Sequence, residues 1–69
     1  MCRRQRQLDE LRDLCRSGRV VRAIDLAFEH FAHFGRDVDV VDLLADAIEH
    51  AQAPARARDR FAELRASPH

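Results

Sequence analysis

His30 and His33 stand one helical turn apart, and Glu29 with His33 and Asp46 with His50 are spaced i, i+4. Side chains at these spacings share a helix face, and such pairs hold a divalent metal when a third and a fourth ligand converge on them. The chain has no Glu-x-x-His of a di-iron bundle, no His-Glu-x-x-His and no Cys-x-x-Cys. The histidines therefore read as solvated or surface ion-pairing groups, and no metal or cofactor is expected. A metal-responsive switch through His30 and His33 stands as the weakest functional alternative.

Asp42, Asp46 and Glu49 place three carboxylates on one helix face. Paired carboxylates work as general acid and base when unequal burial splits their pKa values. This face is the one expected to be wet, so the three acids read as a solvated stripe or a docking surface for Arg. Cys15, on an apolar stripe, reads as a small buried hydrophobe, and Cys2 as the more accessible thiol, open to oxidation between chains. With Ser17 and Ser67 the only serines and Gly18 and Gly35 the only glycines, neither a Ser-His-Asp triad nor a phosphate-cradling loop can be assembled. No catalytic residue is assigned and no enzyme is expected.

The strongest signal is the placement of charge. Residues 1–22 carry seven Arg against three acids, residues 23–50 seven acids against Arg36, and residues 51–69 four Arg against two acids. These blocks stand at +4, −6 and +2 within a chain of zero net charge. A neutral chain so divided is drawn to bring its acidic centre against its own basic ends or a partner's, and has little general attraction for nucleic acid or membrane. Arg3, Arg4 and Arg6 form the one basic arm suited to phosphate contacts, which makes a small nucleic-acid-associated regulator the main alternative. The helix that would enter a DNA groove is the acidic one, however, which argues against base reading. The absence of both an apolar run of span length and a signal-peptide pattern gives a cytoplasmic expectation.

Four elements must position these groups. Apolar residues recur at helical spacing, broken at Ser17-Gly18, Gly35-Arg36-Asp37, Gln52-Ala53-Pro54 and the tail 67–69. The pattern predicts an all-α bundle of four short helices: a helical hairpin over 3–34, then helices at about 39–51 and 54–66, within a single domain of residues 1–66. The first carries Leu8, Leu11 and Cys15, with Leu14 beside them. The second puts Val20, Ile24, Ala27, Phe28, Phe31 and Phe34 on one face, followed by Gly35 as a left-handed cap. The third, with Asp37 and Asp39 as N-cap candidates, buries Val40, Val41, Leu44, Ala47, Ile48 and Ala51. The fourth begins at Pro54 and offers only Ala57, Phe61 and Leu64. Leu26 projects away from the Phe stripe on the side that also carries His33, and with Ala23 and His30 it offers a second contact face.

Leu11, Leu14, Cys15, Gly18, Val20, Ala23, Ile24, Gly35 and Asp39-Val40-Val41 resemble the helical hairpin of pentatricopeptide and related solenoid repeats. The likeness covers roughly residues 5–50, barely more than one repeat. It implies a turn over Leu14 to Val20 and a close helix crossing at Ala23. The family's single-strand RNA binding is not carried over, because such repeats act and are stable as arrays of at least about three.

A core drawn from 69 residues seldom supplies more than about 3–5 kcal/mol. The bundle is therefore expected to be completed by homodimerisation. The functional expectation is a non-catalytic protein–protein interaction module, a small adaptor, docking or regulatory protein, whose interaction surface includes Leu26, Asp42, Asp46 and Glu49.

Overall fold

The computed structural model describes residues 2–50 and 52–67, and its described residues contain four helices and no strand. Helix α1 is Arg3–Arg16, α2 Val20–Phe34, α3 Val38–His50 and α4 Ala55–Ala66. Each lies within two residues of the span predicted from periodicity. Residues 1, 51, 68 and 69, including the expected core residue Ala51, fall outside the described set.

Helix α2 is the hub. It packs against α1, α3 and α4; α3 also touches α1 and α4, whereas α1 and α4 do not meet. Leu8 and Leu11 of α1, Val20, Ala23, Ile24, Ala27 and Phe31 of α2, Val40 and Leu44 of α3, and Ala57, Phe61 and Leu64 of α4 close one core, which Ala53 completes. Ala23 is fully buried, in keeping with the close crossing that the hairpin resemblance implies. The radius of gyration is 11.0 Å, against about 11 Å for a compact chain of this length. One copy thus closes its own core, and a second copy would add to the fold from outside. No helix is long and apolar enough to cross a membrane among the described residues.

Expectations for four residues of α2 change. Phe34 is 42% exposed and Phe28 is half-buried, so Phe31 is the one aromatic of this helix sealed in the core. Ala23 and His30, read as part of an outer contact face with Leu26, are fully buried. With neighbours packed on three sides, α2 buries a wider arc than a surface helix, and its small Ala residues let α1 approach. Leu26 alone of the three keeps partial exposure.

The caps follow local chemistry. Asp37 caps α3: its Oδ1 accepts from the Asp39 N–H at 3.2 Å, and its carbonyl accepts from Val40 and Val41. Pro54 sits one residue before the first helical residue of α4, as its N-cap. Gly35 takes φ +82° and ψ 179°, a conformation that only glycine adopts readily. A Cβ there would meet nothing within 4 Å, so the cost of Gly35→Ala is backbone strain alone, about 1–3 kcal/mol. That loss is read directly in a urea midpoint; an unshifted midpoint would show that another turn serves as well.

Candidate functional site

The polar centre of the molecule is built around His30, whose side chain is completely buried. Its Nε2–H donates to Asp37 Oδ2 at 2.9 Å, and its Nδ1 lies 2.6 Å from the side-chain amide of Gln7. The ring is satisfied in two ways: as an imidazolium donating to the Gln7 oxygen, or as a neutral ring accepting from a turned-over amide N–H. On its outer side Phe34 lies tilted against it, centroids 4.8 Å apart. Arg4 closes the network from the amino end of α1. Its Nε and Nη2 donate to the two oxygens of Asp37 at 2.8 and 3.0 Å, and Nη2 reaches Asp39 at 2.8 Å.

Asp37 thereby accepts four hydrogen bonds, two from Arg4, one from His30 and one from the Asp39 amide, which uses the full capacity of a carboxylate. The Arg4 fork, aided by His30 and the Asp39 amide and opposed by burial, lowers its pKa from 3.8 to about 2. Arg4 is held protonated even more firmly than usual by the same two carboxylates. Among the described residues no buried side-chain nitrogen or oxygen lacks a partner. This network is a clasp: it fastens the amino end of α1 and the start of α3 to the last turns of α2, with His30 and Asp37 inside it and Arg4 and Asp39 at its solvent edge.

The residues expected to carry function fall in separate places. His33 is exposed on α2, while both ring nitrogens of His30 are taken up in the clasp, so the two do not form an open metal pair. Arg4 is turned inward; Arg3 and Arg6 stay exposed. Asp42, Asp46 and Glu49 are exposed on α3. Asp46 lies 3.1 Å from His50, which raises the His50 pKa mainly through its hydrogen bond to the Asp46 backbone and the nearby charge. Asp46 and His50 also edge a groove between α1 and α3, opposite Arg12 and Arg16. Cys15 lines that groove, its thiol pKa pushed up by burial. Cys2 is exposed and caps α1, its Sγ accepting from the Gln5 N–H at 3.4 Å.

Leu26 belongs to a different groove, between α1 and α2. There Leu14 and Leu26, both half-buried, are bordered by Glu10, Asp13, Arg22, Asp25 and Glu29. Asp25 is engaged by Arg60 of α4 at 3.0 Å; Glu10, Asp13 and Glu29 form no ion pair among the described residues. Arg60 also lies 4.1 Å above the Phe28 ring, covering its outer face. The acidic centre of the sequence is thus tied to both basic ends, by Arg4 to Asp37 and Asp39 and by Arg60 to Asp25.

Sequence reasoning missed the clasp because Arg4 and Asp37 are 33 positions apart. A usable signal was nonetheless present. Ala23, Ala27 and His30 follow i, i+4, i+7, which continues a small-residue contact stripe into a histidine that must then find polar partners. No family model, curated protein or solved structure matches the chain. The likeness to solenoid hairpins therefore rests on the residues of the sequence, the packing of α1 on α2 and the burial of Ala23 alone.

Proposed function

We propose that the protein is a non-catalytic protein–protein interaction module, a small adaptor, docking or regulatory protein that works through helical faces and by self-association. The observation that carries this reading is the groove between α1 and α2. Two half-buried leucines lie there bordered by Glu10, Asp13 and Glu29, which form no ion pair among the described residues. Apolar surface rimmed by unpaired charge is the make-up of a recognition surface, in which leucine supplies affinity and charge supplies orientation. The chain's most elaborate polar arrangement, the His30 clasp, is by contrast enclosed and saturated, as suits a group that holds structure. The phosphate-binding alternative loses support from geometry, since Arg4 of its three arginines is committed to Asp37 and Asp39.

Sedimentation equilibrium on the parent and on Leu26→Glu tests the proposal. The parent is expected to show reversible association above 8.0 kDa as its concentration rises. Leu26→Glu, folded but with one more acid in the groove, is expected to remain monomeric. A parent that sediments as a monomer up to millimolar concentration, and shows no partner by cross-linking in cells, rejects the reading.

A further inference from the structure

Arg3, Arg6, Glu10 and Asp13 lie at i, i+3, i+7 and i+10 on α1, which sets them in one straight stripe. All four are exposed, and none takes part in an ion pair among the described residues. The stripe is positive over its amino half and negative over its carboxyl half. That order opposes the helix dipole, whose amino end favours acids and whose carboxyl end favours bases. The first turn of α1 contains no acid at all. Asp37 and Asp39 compensate for Arg4 there; no ion pair among the described residues does so for Arg3, Arg6 or Asp13.

We infer that this stripe is the contact surface for a second copy of the same chain, with the two α1 helices packed antiparallel about a two-fold axis. The inference rests on the self-association proposed above and assigns its interface. With the two-fold axis crossing α1 at the level of residue 8, on the face opposite the buried Leu8, antiparallel pairing sets Arg3 against Asp13 and Arg6 against Glu10 of the other copy, each contact occurring twice by symmetry. Parallel pairing would set each charge against its own kind. The antiparallel arrangement also brings an acid to the amino end of each α1 and a base near its carboxyl end, correcting both dipole mismatches at once. Glu10, Asp13 and Leu14 border the groove that contains Leu26. The methylene stems of the incoming Arg3 and Arg6 are thus placed to cover the two leucines while their guanidinium groups reach the acids.

The test is a charge exchange followed by light scattering. One variant combines Arg3→Glu with Arg6→Glu, the other Glu10→Arg with Asp13→Arg; circular dichroism establishes that each retains parental helicity, as four exposed positions should allow. Each variant alone carries a stripe of one sign, and its self-association is expected to weaken at least about tenfold. An equimolar mixture is expected to recover dimers, because every antiparallel contact is again complementary. Dimerisation that survives in both separate variants, or that the mixture fails to recover, overturns this interface while leaving self-association in place. A parent that never dimerises removes both.

Discussion

Phe31→Ala is expected to leave the chain largely unfolded at room temperature. Phe31 is the largest fully buried side chain, 1% exposed at the centre of a core to which all four helices contribute. Cutting a buried Phe to Ala costs about 3–5 kcal/mol, through lost transfer energy and the cavity left behind. A domain of this size holds about the same amount in total, so the variant has little or no margin left. The contrast within the same helix sharpens the test. Phe28 is half-buried with Arg60 over its outer face, and Phe28→Ala should cost roughly half as much, following the smaller apolar area withdrawn from water. Thermal and urea melts followed by circular dichroism decide the matter. A Phe31→Ala protein that melts with the parent would place the core elsewhere.

Asp37→Asn is expected to cost about 3 kcal/mol at neutral pH. The substitution keeps the shape of the side chain but removes its charge and turns one acceptor into a donor. Asp37 now receives Arg4 on both oxygens and His30 on one; an asparagine amide N–H would point at one of these donors, leaving an almost buried group without a partner. The same residue gives the parent a particular acid sensitivity. Its folded pKa of about 2 lies below the ordinary 3.8, so the folded state favours the ionised form. The resulting stability is complete above pH 3.8 and is lost as pH falls through about 2. Urea midpoints measured from pH 7 to pH 2 should converge for parent and variant at the acid end. Equal stability at pH 7, or a constant gap between the two curves at every pH, would contradict the role given to Asp37.

The helices were legible because their information is local. Apolar spacing marks α1 to α4, and Gly18, Gly35 and Pro54 punctuate them. The narrow Ala57, Phe61 and Leu64 stripe of α4 is buried as expected. Which face of α2 meets which neighbour was not legible: periodicity reveals an apolar arc but not that three helices would share it, so Phe34 was drawn inward and Ala23 and His30 outward. Part of the clasp was visible in fragments, with Asp37 read as a cap and His30 weighed as a metal ligand and as part of an outer contact face. Joining them to Arg4 required the fold to close a separation of 33 residues. The interaction residues behave similarly. Leu26 stood out alone in sequence, while the acids that border it come from two helices joined by the Gly18 turn, and Asp46 lies in the groove on the α3 side of α1.

The saturation of Asp37 bears on how this chain can change over time. Arg4, Gln7, His30 and Asp37 each satisfy another member of the set, so replacing any one strands a partner in a place that water scarcely reaches. The penalties are accordingly far from additive: a second or third replacement that renders the region apolar recovers much of what the first one lost. Drift at these positions is therefore obstructed one step at a time and open only to joint exchanges. Four residues scattered over half the chain are bound to a single evolutionary fate, whereas exposed charged positions outside the α1 stripe and the Asp25–Arg60 pair remain free to vary one by one.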